Sequence, residues 1–149
     1  MEKRLFIGTL IILFMLVGCA TLVKSTDAPR MTKEELRAML GNPNLVIIDV
    51  RYHRDWTGSD LKIKRAVRED PEAIDSWANK YPKDKTLVFY CSWHDEGTSA
   101  SVAQKLMGMG YTKVYALKGG WREWDKAGYP TEKKWETKGE PEFLTAGQR

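Results

Sequence analysis

The stretch Thr86-Leu87-Val88-Phe89-Tyr90-Cys91-Ser92-Trp93-His94-Asp95-Glu96-Gly97-Thr98-Ser99-Ala100 passes from an unbroken apolar run, through a polar loop, to small residues that suit a helix start. Its first five residues have the length and β-rich composition of a strand buried on both faces, as in a parallel sheet. Thr98 or Ser99 can cap a following helix whose inner face carries Ala103, Leu106 and Met107, with Gly108 or Gly110 to end it. Cys91 therefore closes a strand and opens a loop. Successive N–H groups at such a loop and helix start form a positive concavity that favours an anionic sulfur. The plain alternative is a buried, inert Cys at a strand end.

Working outward, the same alternation repeats. Thr32-Lys33-Glu34-Glu35 has the capping-box pattern, and Leu36, Met39 and Leu40 recur at helical spacing before Gly41. Leu45-Val46-Ile47-Ile48-Asp49-Val50 is a second buried-strand run, followed by a polar, irregular stretch from Arg51 to Arg68. Asp70-Pro71 should start a helix with Ile74, Trp77, Ala78 and Tyr81 on one face, ended by Pro82. Val114 to Leu117 reads as another strand, Gly119-Gly120 as a tight loop, and Trp121 to Ala127 as a short helix. Strands alternating with helices imply an α/β, three-layer domain with a mainly parallel central sheet flanked by helices. Its site belongs at the carboxyl ends of the strands. Residues 131–149 lack periodicity and read as a polar C-terminal tail.

The chain has 149 residues, enough for one domain, and 42% of them are hydrophobic. Its net charge of +4 comes from 24 basic residues interleaved with 20 acidic ones. Without an arginine-rich stripe, that balance describes a solvated surface and does not point to nucleic acid. No metal-binding or cofactor-binding motif stands out.

The amino terminus differs from the rest. Glu2-Lys3-Arg4 precedes an uncharged stretch from Leu5 to Val23, the pattern of an export signal. Leu16-Val17-Gly18-Cys19 resembles the bacterial lipobox, which implies a signal peptide over residues 1–18, lipidation of Cys19 and a tether over 19–31. The alternative is an uncleaved membrane anchor from Leu5 to Val23. Either places the domain on the periplasmic or extracellular side, because Lys3 and Arg4 favour the cytoplasm. With Cys19 lipidated, Cys91 is an unpaired thiol in an oxidising compartment, which marks it as reactive.

From Thr32 to Pro130 the sequence resembles the rhodanese family. Val46-Ile47-Ile48-Asp49-Val50-Arg51 is similar to the family's strand ending in Asp-Val-Arg, with Trp56, Ile63 and Ala66 following. Leu87-Val88-Phe89-Tyr90-Cys91, with Thr98-Ser99-Ala100, resembles its catalytic strand, nucleophile and helix. Leu117-Lys118-Gly119-Gly120-Trp121, with Trp124, Gly128 and Tyr129-Pro130, resembles its closing Gly-Gly-Trp segment. The resemblance implies a sulfurtransferase that holds sulfane sulfur as a persulfide on Cys91. The small donor would be a persulfide, polysulfide or thiosulfate, and the acceptor a thiol. Backbone amides from Ser92, Trp93, His94, Asp95, Glu96 and Gly97 would bind the substrate, and Asp49 and Arg51 would brace the loop or form a plain ion pair.

The loop departs from the family pattern. Its usual Arg is missing, with Glu96 in the corresponding place, and Asp95 and Glu96 put negative charge near the nucleophile. Thiosulfate is therefore expected to be a poor donor, helped by salt and by Glu96→Arg. His94 is either a base for the thiol or an exposed loop residue, and Trp93 either covers the site or packs in the core. Phosphatases and arsenate reductases built on this fold need an Arg six residues after the Cys, where Gly97 stands. Disulfide exchange lacks a Cys-x-x-Cys. The alternative from outside enzymology is a membrane-anchored binding or sensing module that uses the fold without catalysis.

Overall fold

The computed structural model describes residues 27–93 and 96–135, so the expectations for the signal peptide, Cys19, His94, Asp95 and residues 136–149 lie outside the described residues. The chain runs β1 (Arg30–Met31), α1 (Lys33–Met39), β2 (Leu45–Asp49), α2 (His53–Thr57), β3 (Leu61–Ile63), β4 (Val67–Arg68) and α3 (Ile74–Trp77). After a 3-10 turn at Ala78–Lys80 come β5 (Thr86–Tyr90), α4 (Gly97–Gly108), β6 (Val114–Leu117), α5 (Gly120–Lys126) and β7 (Thr131–Lys133). The central sheet has the order β1-β6-β5-β2-β4, and every pairing in it is parallel.

Side chains alternate across the sheet even where the run is apolar throughout. Val46 and Ile48 of β2 and Leu87 and Phe89 of β5 pack with Trp77, Val102 and Leu106 on one face. Ile47, Val88 and Tyr90 pack with Leu36, Trp121 and Trp124 on the other. The sheet thus lies between two helical layers, the expected three-layer α/β arrangement. Each fully buried Leu, Ile or Phe contributes about 1.5–3 kcal/mol. No helix among the described residues is long and apolar enough to cross a membrane.

Helix α1 carries both halves of its capping box: Glu35 N–H donates to Thr32 Oγ1 at 3.2 Å, and Thr32 N–H to Glu35 Oε2 at 2.7 Å. The Thr32 N–H, and after it the Thr32 hydroxyl at 2.8 Å from the same Oε2, hold the Glu35 carboxyl below its ordinary value. Its contribution is present above the unfolded value and is lost as pH falls through the lowered folded one. Thr32→Ala is expected to cost about 1 kcal/mol, measured by urea denaturation at neutral pH, with the deficit shrinking in acid.

Several boundaries differ from expectation. Arg30–Met31, assigned to the tether, is an edge strand in register with Ala116–Leu117, and Ala28 is buried. Thr131–Lys133, assigned to the tail, pairs antiparallel with Leu61–Ile63, and Lys62 and Glu132 meet at 3.3 Å. The domain therefore extends beyond residues 32–130 at both ends. The stretch from Arg51 to Arg68 holds α2, β3 and β4, each too short to show periodicity. Asp70 does not cap a helix but closes a turn, with Glu72 N–H on its Oδ1 and Ala73 N–H on its carbonyl, so α3 begins at Ile74. The inner face is nonetheless the one the spacing predicts: Ile74, Trp77, Ala78 and Tyr81 are all buried.

Candidate active site

Three strands deliver their carboxyl ends to one place: β5 ends in Cys91, β2 leads to Asp49 and Arg51, and β6 leads to Gly119-Gly120. Cys91 is 3% exposed and is a free thiol. Its Sγ lies 3.5 Å from Ser99 Oγ and 4.0 Å from the Trp93 carbonyl. Ser99 is wholly buried in the first turn of α4, and its hydroxyl now donates to the Glu96 carbonyl at 3.1 Å. The N–H groups of Thr98 and Ser99, unpaired by helix geometry, have no acceptor among the described residues. Ser92 is nearly buried, Trp93 is 46% exposed, and Gly97 begins α4, one residue before the expected cap.

The Cys91 backbone is held from the far side of the loop. Trp121 N–H donates to the Cys91 carbonyl at 2.8 Å. Gly120, at φ 55°, sits so close that a Cβ there would meet Cys91 O at 2.4 Å and Trp93 O at 3.0 Å. Only a residue without a side chain fits against the loop here, which accounts for the second Gly of the pair.

Arg51 supports this layer from beneath. It is fully buried, with Nη2 at 2.6 Å and Nε at 3.0 Å from Asp49 Oδ2. Its guanidinium lies 4.7 Å from the Trp121 ring centroid, 5.1 Å from Trp56 and 5.7 Å from Tyr90. Nη1 has no hydrogen-bond acceptor among the described residues and sits among these rings. Burial alone would push Arg51 down, but the hydrogen bonds and charge of Asp49 outweigh it and hold the guanidinium above its ordinary value. Tyr90 donates to Asp49 Oδ2 at 2.5 Å and accepts from Ile63 N–H at 3.2 Å. Burial, then the Asp49 charge, push its hydroxyl well above the ordinary range, so it stays a donor. Both readings of Asp49 and Arg51 hold together: they form a buried ion pair, and through Trp121 that pair reaches the Cys91 loop.

Glu96 behaves differently from its sequence reading. It adopts φ 57°, its N–H donates to Trp93 O at 3.2 Å, and its carbonyl accepts from Ala100 N–H at 2.8 Å. Its carboxylate is engaged at both oxygens, Oε2 by Arg30 Nε at 2.6 Å and Oε1 by Gly119 N–H at 2.7 Å. The charge is therefore paired with a cation and fastens the loop to β1 and to the turn before α5. The expectation that Glu96 acts as an unpaired repulsive charge does not hold, and its amide is not a free donor. Glu96→Arg would set two guanidinium groups together and remove the acceptor for Gly119. It is expected to lower stability by about 1–3 kcal/mol and reduce turnover with every donor. Thermal melting together with steady-state kinetics checks this, and Glu96→Gln, which keeps one acceptor, should lose less.

Arg30, Ser99 and Gly120 as loop supports were not singled out from sequence. Ser99 and Gly120 were visible only as parts of motifs. Arg30 carried no local signal, since its partner lies 66 residues away. Among the described residues there is no cluster able to hold a metal ion.

A parallel α/β sheet that presents a buried Cys on a strand-to-helix loop, closed over by a Gly-Gly-Trp turn, defines a class of cysteine-loop domain. Residues 32–127 match the rhodanese-like domain model, and the chain belongs to that family. It is 32% identical over 107 residues to the thiosulfate sulfurtransferase GlpE of Pseudomonas savastanoi pv. phaseolicola, covering 72% of this chain and 95% of that one. Among solved structures, the rhodanese-like domain of the Anabaena protein Alr3790 superposes with a TM-score of 0.61 at 26% identity, over 74% of this chain and 83% of that one. A Rhodopseudomonas palustris protein of unknown function, RPA3614, described as a possible tyrosine phosphatase, gives 0.61 at 27% identity, over 70% and 85%.

Proposed function

We propose that this chain is a sulfurtransferase that carries sulfane sulfur as a persulfide on Cys91. The observation that supports it most is the position of Cys91 Sγ, at a strand end and 3.5 Å from the Oγ of Ser99 in the first turn of α4. In the first step the Cys91 thiolate attacks the outer sulfur of the donor. The donor's S–S bond breaks, and its electron pair leaves on the remainder, sulfite in the case of thiosulfate. In the second step an acceptor thiolate attacks the terminal sulfur of the persulfide, and the pair returns to Cys91 Sγ. The negative charge present throughout is met by the Thr98 and Ser99 N–H groups. The Ser99 hydroxyl can turn its proton from the Glu96 carbonyl towards the sulfur. The phosphatase description of RPA3614 does not carry over, since Gly97 occupies the place of the phosphate-binding Arg. Steady-state release of sulfite from thiosulfate, or of thiol from a persulfide donor, in the presence of a thiol acceptor tests the reading. Absence of turnover with all such donors would refute it.

The proposal includes export and lipidation at Cys19, on the strength of Lys3, Arg4, the apolar run and Leu16-Val17-Gly18-Cys19. A fatty-acid analogue fed to expressing cells is expected to label the wild type and not Cys19→Ser. Label persisting in the variant would remove lipidation at this residue, and a product retaining Met1 would indicate an uncleaved anchor.

A further inference from the structure

Resting on the sulfurtransferase reading, we infer that Arg122, stacked on Trp93 beside the Cys91 loop, selects donors whose leaving portion carries a sulfonate-like group or a carboxylate. Arg122 is an exposed residue of α5, and its guanidinium carbon lies 4.2 Å from the Trp93 ring centroid. Trp93 follows Cys91 by two residues and is 46% exposed, so the pair stands at the surface while Cys91 is 3% exposed. The stack is fixed from both sides. Gly120, two residues before Arg122, lies against the Trp93 carbonyl, and Trp121 between them bonds the Cys91 carbonyl. No carboxylate among the described residues pairs with Arg122. A guanidinium lying over a ring keeps its edge N–H groups free for a carboxylate or sulfonate.

The charge pattern around the loop supports this role. The loop position that holds Glu96 supplies no cation, and Glu96 itself is neutralised by Arg30 at 2.6 Å. Arg122 is thus a cation beside the loop without a compensating acid among the described residues, and it is delivered by a different element from the one that carries the nucleophile. A cation at the mouth of a site with a buried nucleophile raises the local concentration of anionic ligands and fixes their orientation, an effect that salt weakens. Arg122 is a specificity-determining residue: it acts on the anionic group of the portion that leaves, the sulfite oxygens of thiosulfate or the carboxylate of 3-mercaptopropionate, and not on the sulfur that is transferred.

The test uses three donors. Thiosulfate and 3-mercaptopropionate persulfide carry an anionic end, as a sulfonate-like group and a carboxylate respectively, and cysteamine persulfide carries an ammonium. Arg122→Gln is expected to lower kcat/KM about tenfold for both anionic donors, mainly through KM, and to cause no loss for cysteamine persulfide, whose ammonium the wild-type cation repels. Arg122→Lys should retain most of the wild-type value. Raising salt should lower wild-type use of the anionic donors and have little effect on Arg122→Gln. If only one anionic donor responds, the site reads that group, sulfonate or carboxylate, and the inference stands for it alone. An equal loss for all three donors, or no loss for any, would overturn the inference and leave the sulfur-carrier reading intact. If no donor loads Cys91 in the wild type, both fail together.

Discussion

Cys91→Ser is expected to reduce sulfur transfer to background, a loss of at least about a thousandfold in kcat/KM, while the protein melts within about 1 kcal/mol of wild type. A hydroxyl cannot take up sulfane sulfur, so the first step has no nucleophile. The fold should tolerate the change because the new Oγ is not left without partners. Ser99 Oγ lies at 3.5 Å from the present sulfur and the Trp93 carbonyl at 4.0 Å. The shorter Ser side chain can reach one of them with a small adjustment. Near-isosteric replacement also leaves the Trp121 bond to the residue's carbonyl untouched. Donor-dependent turnover and a melting curve on the same preparation separate the two statements. Retained turnover would show that sulfur travels by another route.

The second large effect lies below the loop. Asp49→Asn should destabilise the domain by about 3–5 kcal/mol, because Arg51 would keep its charge in a fully buried position with no counter-ion. The loss exceeds that of an ordinary hydrogen bond, since the penalty is that of an unpaired buried cation. Replacing Asp49 and Arg51 together by Leu removes both charges and should cost much less than the single change. The double variant also isolates the link to function. Without the guanidinium, Trp121 loses the group stacked at 4.7 Å, and its hold on the Cys91 carbonyl should slacken. Turnover in the double variant is therefore expected to fall further than its stability does. Urea denaturation of the two variants beside wild type decides the energetic part.

How far these features could be read from sequence depended on whether their cause was local. The strands ending at Asp49 and Tyr90 were legible because their apolar runs need no partner to be recognised. The capping box at Thr32 and the place of Cys91 between strand and helix were legible for the same reason. Arg30–Met31 was not, since two residues become a strand only through pairing with Ala116–Leu117. The same holds for Thr131–Lys133, which is defined by its register with Leu61–Ile63. At Asp70-Pro71 the local signal was real, but the Asp side chain closed a turn instead of capping a helix. Glu96 departs furthest from its local signal. Five residues from Cys91 in sequence, its charge is expected beside the nucleophile, yet a left-handed backbone turns the carboxylate towards Arg30 and Gly119. Proximity along the chain gives the distance of a charge only when the direction of the side chain is also known.

The sign of the salt response follows from that direction. A repulsive loop predicts that salt helps an anionic donor, whereas a neutralised Glu96 with Arg122 at the mouth predicts that salt hinders it.

The central claim is that Cys91 carries sulfur, and mass spectrometry of the protein isolated without reductant and then treated with thiosulfate or a persulfide tests it most directly. The account predicts an increment of about 32 Da on the peptide containing Cys91, lost on addition of a thiol acceptor with release of an equivalent of persulfide. A Cys91 that stays an unmodified thiol with every sulfane donor would contradict it, and would leave the fold serving as a binding module.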